Sequence, residues 1–172
     1  MKLVKYSEVE ETQYNSYISE WEAIGEKITP YSSARNGRTF KEMQYYWEYE
    51  GTDAIRGQGY VPATLYFLID DDGRIYGAAH LRHELNDDLR QYGGHIGYGI
   101  RPSERRKGYS TLQLKMMLDM LRKNGYKQIM ITCDDDNIGS FRTIEKNGGI
   151  LMDKVKNDNG IGRRYWINLI QK

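Results

Sequence analysis

Cysteine is nearly absent: Cys133 is the single thiol in 172 residues. No internal disulfide can form, and nothing requires an oxidising compartment. Long apolar runs are missing too, and none approaches the roughly 20 residues needed to cross a bilayer. The opening "MKLVKYSEVEE" turns acidic at once and lacks the apolar centre of a signal peptide. Net charge is almost nil, since 25 basic and 24 acidic side chains leave +1. That balance excludes a chain-wide electrostatic attraction for nucleic acid. Internal repeats and low-complexity segments are also lacking. Together these absences predict a cytoplasmic protein with no membrane and no nucleic-acid partner.

What remains is ordinary globular composition, 39% apolar and 28% charged, at a length that suits one domain over residues 1–172. A chain of this size buries about 70% of its unfolded surface. Charge is distributed unevenly. Residues 1–60 hold 7 basic and 10 acidic side chains, and residues 61–172 carry the compensating +4. Along the chain, "KLVKY" reads as a strand. "QYNSYISEWEAIGEKI" reads as a helix with Ile18, Trp21, Ile24 and Gly25 at helical spacing, ending near Thr29-Pro30. "TFKEMQYYWEYE" is a second helix with Phe40, Met43 and Trp47 on one face, and "GTDAIRGQGYVP" is a glycine-rich loop. "ATLYFLID" and "IYGAAHLRH" flank a tight "DDGR" turn as a hairpin. "ELNDDLRQYGG" reads as a short helix or a lid, and "HIGYGI" as the next strand.

"YSTLQLKMMLDMLRKNG" puts Leu114, Met117, Leu118 and Leu121 at i, i+3, i+4 and i+7 and stops on Asn-Gly. "YKQIMITC" is an apolar strand and "DNIGSFRTIEKNGG" a capped helix. "ILMDKVK" and "RRYWINLI" pair around an "NDNGIG" turn. The order βααβββαβαββ predicts an α+β fold. Its mixed, mostly antiparallel sheet of six to seven strands is flanked by about four helices.

Positive charge peaks in "GIRPSERRKGYS", where Arg101, Arg105, Arg106 and Lys107 oppose Glu104. A strand that ends in a loop and feeds a helix start is a ready anion site, because free N–H groups and the helix dipole point outward there. Gly108 permits close backbone approach. A solvated charged turn is the alternative. The order Lys107-Gly108 departs from the P-loop, which needs lysine after its second glycine, and the G-x-G-x-x-G dinucleotide turn is absent.

"RRKGYS" resembles the R/Q-x-x-G-x-G/A signature of the GNAT N-acetyltransferase superfamily, with Arg105, Gly108 and Ser110 in the three defined places. "DNIGS…EKNGG" is similar to that family's N-x-x-S/A…E-K-x-G pattern through Asn137, Ser140, Glu145, Lys146 and Gly148. The resemblance spans roughly residues 61–170. It implies a V-shaped splay between the central strands and acetyl-coenzyme A as cosubstrate, with no metal. The pyrophosphate would lie on the backbone of Arg105, Arg106, Lys107, Gly108, Tyr109 and Ser110. The pantetheine arm would pair with Tyr98 to Ile100, and Asn137 and Ser140 would border it. A backbone N–H near Ile100 would polarise the thioester carbonyl as an oxyanion hole. The implied reaction is direct attack by a primary amine of a small molecule or peptide. Ser110 departs from the family's Gly or Ala. Ile144 stands where many members carry a tyrosine general acid, so a catalytically inert module that binds coenzyme A is the alternative function.

The acceptor amine must lose a proton before attack. Glu84 and His95 are the leading bases, with His80 and His83 as further options. A solvated carboxylate competes with the first reading and a structural histidine with the second. Cys133 reads as an inert strand thiol, and Asp134, Asp135 and Asp136 as charge at a helix start rather than a metal site. Monomer and homodimer both stay open.

Overall fold

The computed structural model describes residues 1–157 and 160–170. The elements follow in the expected order: β1 (Lys2–Lys5), α1 (Glu11–Ile24), α2 (Phe40–Glu50), β2 (Ala63–Ile69), β3 (Ile75–Arg82), β4 (Ile96–Ile100), α3 (Tyr109–Lys123), β5 (Gln128–Asp134), α4 (Ile138–Lys146), β6 (Ile150–Asn157) and β7 (Gly160–Asn168). The last turn, expected in "NDNGIG", falls partly on residues 158–159, outside the described residues. Short helical turns occupy Asp53–Gln58, within the glycine-rich loop, and Leu89–Gly93, within the polar "ELNDDLRQYGG" stretch.

The strands form two sheets rather than one. β1-β2-β3-β4 and β5-β7-β6 are each antiparallel throughout. β4 and β5 run side by side where the sheets meet, and the splay expected between the central strands opens there. Both faces of the first sheet are covered. Leu65, Phe67, Ile69 and Ala78 pack under α1 and α2 with Tyr14, Tyr17, Ile18, Met43 and Trp47. Ala79, Leu81 and Ile96 pack under α3 with Leu114, Met117, Leu118 and Leu121, and this core continues into Ile129, Ile131, Tyr165 and Ile167 of the second sheet. The i, i+3, i+4, i+7 stripe of α3 is buried as its spacing predicts.

The first helix stops earlier than expected. Gly25 adopts φ +67° and caps α1 after Ile24, which is itself exposed. The buried stripe of α1 is Tyr14, Tyr17, Ile18 and Trp21. A left-handed residue ends a helix at little cost only when it lacks a Cβ. At the start of α2, Thr39 and Glu42 form a reciprocal capping box. No helix of the described residues is long and apolar enough to cross a membrane.

Trp47 is 1% exposed and stacks edge-on against Tyr14 and Phe67, whereas Tyr45 on the same helix is 61% exposed. Trp47→Ala is expected to cost about 3–5 kcal/mol of unfolding free energy. Tyr45→Ala should stay within about 0.5 kcal/mol. Urea denaturation of the two variants checks the contrast, and equal losses would contradict it.

Candidate functional site

Among the described residues β4 and β5 are hydrogen-bonded at one point, just before β4 begins and at the third residue of β5. The His95 N–H donates to the Met130 carbonyl at 2.7 Å, and the Met130 N–H donates back to His95 Nδ1 at 3.0 Å. Beside this pair Gly94 bridges Ile131. Gly94 lies at φ +64°, and a Cβ there would press on the Met130 carbonyl. Beyond this point the strands diverge into a slot of about 260 Å³.

The pairing of β4 with β3 decides what faces the slot. The Arg82 N–H donates to the His95 carbonyl at one end and the Arg101 N–H to the Tyr76 carbonyl at the other, both at 2.8 Å. In an antiparallel ladder hydrogen-bonded pairs alternate, so Gly97 and Gly99 also face β3. The N–H groups of Ile96, Tyr98 and Ile100 therefore point to the open edge. The Ile100 carbonyl points there too, and it accepts from Arg105 Nε at 3.4 Å. Ile96, Gly97, Tyr98, Cys133, Asn137 and Ser140 line the slot. Ile100 lies beyond this lining, at the strand's end, with its side chain buried. Asn137 caps α4 by accepting from the Ser140 N–H at 3.0 Å, and the Tyr98 hydroxyl lies 3.1 Å from Ser140 Oγ. The Tyr98 hydroxyl is largely withdrawn from water, which raises its pKa and keeps it protonated. Cys133 is pushed up to about 11 by burial, so its thiol is not a nucleophile at neutral pH.

Beyond the end of β4 lies the loop into α3. Gly108 at φ +88° is the N-cap residue, with nothing within 4 Å of where a Cβ would stand. Arg106 also takes a positive φ, +62°. Among the described residues none of the N–H groups from Arg106 to Thr111 donates to a backbone carbonyl. Ser110, the residue that departs from the expected Gly or Ala, turns its hydroxyl away to Thr143 Oγ1 at 2.7 Å and leaves the cradle clear. Most of the loop's charge is already paired. Arg101 meets Glu20 at 2.5 Å, Arg105 meets Glu26 at 2.7 Å, and Lys107 meets Glu104 at 3.1 Å. The acidic excess of the first 60 residues thus supplies Glu20 and Glu26 to this loop.

The structure brings Tyr98, Asn137 and Ser140 together on the slot, whereas Arg105 through Ser110 stand outside its lining, in the loop that follows β4. Glu84 is elsewhere. It is exposed beyond the end of β3 and ion-paired to Arg56, which holds its carboxyl below the usual range. His95 sits at the closed vertex as the staple between the sheets. His83 is exposed and hydrogen-bonded to Thr64 at 2.9 Å. His80 faces the α1/α2 side of the sheet, against Glu50. Asp135 is paired with Arg163 at 2.5 Å and Lys154 at 2.7 Å. Thr29, Gln91, Tyr92, Thr132 and Arg163 also line the slot. No local pattern marks them, because they reach it from four separate segments.

A family model described as Acetyltransferase (GNAT) domain matches residues 6–150. The uncharacterized N-acetyltransferase YjdG of Bacillus subtilis (strain 168) is 33% identical over 73 residues, 42% of this chain and 40% of that protein's length. Among solved structures, a point variant of the spermidine N-acetyltransferase SpeG of Vibrio cholerae superposes with TM-score 0.67 at 14% identity, covering 98% of this chain and 95% of that one. The ribosomal-protein-S5-alanine acetyltransferase of Vibrio fischeri gives TM-score 0.64 at 16% identity, covering 97% and 91%. A ribosomal L7/L12 alpha-N-protein acetyltransferase in complex with coenzyme A gives 0.67 at 15%, covering 96% and 92%. At these identities the likeness is one of fold.

Burial lowers the His95 pKa from 6.5 to about 4, so the imidazole stays neutral and its Nδ1 stays an acceptor. The unfolded chain therefore takes up this proton first as pH falls. The stability tied to His95 is complete above about pH 6.5 and drains as pH drops towards 4. His95→Gln is expected to lose less unfolding free energy than wild type between pH 7 and pH 4.5. Chemical denaturation at the two pH values checks this, and parallel losses would refute it.

Proposed function

The chain belongs to the GNAT acetyltransferase family, and from that premise we propose that residues 1–172 act as one domain transferring acetyl from acetyl-coenzyme A to a primary amine of a small molecule or peptide. The observation that carries this reading is the loop that follows β4. A run of unpaired N–H groups from Arg106 to Thr111 surrounds a glycine whose missing Cβ leaves open space. Backbone amides at a helix start favour phosphate oxygens, and a positive-φ loop turns successive amides toward one anion. The site therefore fits a pyrophosphate.

Each proposed role follows from position. Arg105 to Ser110 hold the phosphates. The edge-facing N–H groups of Tyr98 and Ile100 pair with the pantetheine arm, and one of them polarises the thioester carbonyl. Such a preoriented donor stabilises the oxyanion that forms as the amine attacks. Asn137 and Ser140 close the other wall. A single cysteine, which can form no internal disulfide, supports a cytoplasmic setting. The internal pairing of the loop's cations weighs against nucleic acid as a partner.

Ile144 is fully buried, so no ionisable group stands at that position of α4. This favours, as a second reading, a module that binds coenzyme A without catalysis. Release of free thiol on incubation with acetyl-coenzyme A and any of a panel of amines would rule it out.

Acetyl-coenzyme A is expected to raise the thermal midpoint of the wild type, as any ligand selective for the folded state does. Gly108→Glu places a carboxylate where phosphate would sit and is expected to abolish the shift. A wild-type midpoint that does not respond would overturn the reading.

A further inference from the structure

On the α1/α2 face of the first sheet lies a second cavity, of about 180 Å³, walled by Glu50, Tyr60, His80, Arg82 and Asn86. Its wall neighbours the slot through Gly97. That residue lines the slot, pairs with His80 in the sheet, and would bring a Cβ to 3.4 Å from the Arg82 guanidinium. The Arg82 guanidinium and Pro30 lie over Gly97, so Arg82, a wall of the cavity, is the side chain that stands next to the slot.

The wall of this cavity holds a buried acid–base pair, His80 and Glu50. His80 is 7% exposed and Glu50 8%. His80 Nε2 lies 3.1 Å from Glu50 Oε2, but off the line of a hydrogen bond, so it is left among the buried nitrogens without such a partner. Glu50 is anchored from elsewhere. Ser32 Oγ donates to Oε2 at 2.8 Å and the Tyr46 hydroxyl to Oε1 at 3.3 Å. Burial alone would raise the Glu50 pKa, yet its contacts with His80, Ser32 and Tyr46 prevail and hold it below the usual range. A carboxylate 3.1 Å from Nε2 favours the tautomer with the ring proton on that nitrogen, which makes Nδ1 the acceptor. A buried pair of this kind is weak evidence for stability, since apolar residues of similar volume often do as well. A base oriented by a carboxylate, next to a cavity, is the arrangement that proton abstraction requires.

From this geometry we infer that the second cavity receives the acceptor amine and that His80, oriented by Glu50, removes its proton. The inference rests on the acetyl-transfer reading above. The ammonium form gives one proton to His80 Nδ1, and the resulting imidazolium is stabilised by the Glu50 carboxylate. The nitrogen lone pair then forms a bond to the thioester carbon. The carbon–sulfur bond breaks with its electron pair on sulfur. A second proton from nitrogen neutralises the thiolate, which leaves a neutral amide and a thiol, and the imidazolium returns its proton to solvent. His80 is the catalytic residue here, and Glu50 is a positioning residue.

The test uses the full chain with acetyl-coenzyme A and three amines: a linear diamine, a free amino acid and a peptide with an unblocked amino terminus. Thiol release is the readout. His80→Ala is expected to lower kcat by about 10²–10⁴-fold, the usual share of a general base. Its KM for acetyl-coenzyme A should stay within about twofold of wild type, and added imidazole should restore part of the rate. Glu50→Gln should lose rate similarly, and Glu50→Asp should recover it. Should His80→Ala fail to give a cooperative thermal transition, His80→Gln takes its place in the kcat and KM comparison. Wild-type kcat in the His80 variant would overturn the inference. So would a loss that imidazole does not relieve, with Glu50→Gln and Glu50→Asp equally slow. A wild type that turns over an amine while His80→Ala matches it refutes this inference alone. A wild type that binds acetyl-coenzyme A and acetylates none of the three amines counts against the transfer reading itself, and the inference falls with it.

Discussion

Two hydrogen bonds at His95 set the geometry on which the slot depends. With its N–H spent on the Met130 carbonyl and its Nδ1 on the Met130 N–H, the residue ties β4 to β5 at one point. Each strand then follows its own sheet. A continuous ladder here would consume the edge N–H groups of β4 and leave no gap. No ladder at all would leave two sheets joined only through α3 and side-chain packing. One short staple gives both cohesion and an opening. It also explains why the imidazole is better kept neutral, since a proton on Nδ1 would set two donors against each other.

The opening then turns on which atoms face it. The antiparallel pairing of β4 with β3 assigns alternate N–H groups to the slot, and the Gly94 bend starts that alternation in the right phase. From the other side, α4 is capped by Asn137 so that Ser140 meets the Tyr98 hydroxyl. At the loop into α3, α1 reaches across through Glu20, which accepts from Arg101 Nε and from the Ser103 N–H at 2.6 Å. The same loop that presents free amides is thus tied at its root to the first helix. Its stiffness comes from paired charge partly withdrawn from solvent, where such pairs are less screened than at an open surface.

Much of this was legible in the sequence, and the rest has a physical reason for having been hidden. The order of elements followed from periodicity. The stripe of α3 and the glycine stops are local signals within one or two turns of chain. The loop from Arg105 to Ser110 stands out for the same reason. The division into two sheets was not local. It depends on His95 meeting Met130, 35 residues away. Glu84 looked available only because its partner Arg56 is 28 residues distant, and Glu50 lies 30 residues from His80. Ile24 kept the helical period yet fell outside the buried stripe, because Gly25 ends the helix before that face can pack. Spacing reveals what a segment presents, but burial and pairing with remote segments decide what it keeps.

Three of the four cations in "RPSERRK" sit against a carboxylate of this chain. What the loop offers a ligand is therefore mainly a fixed set of neutral amide dipoles, not a loose cloud of positive charge. Charge attracts any polyanion at long range and fades with salt, whereas oriented amides act only on an anion whose oxygens match their directions. Under the proposed reading, discrimination by this loop is a matter of shape, with a ligand's charge completing a fit that the backbone has already drawn.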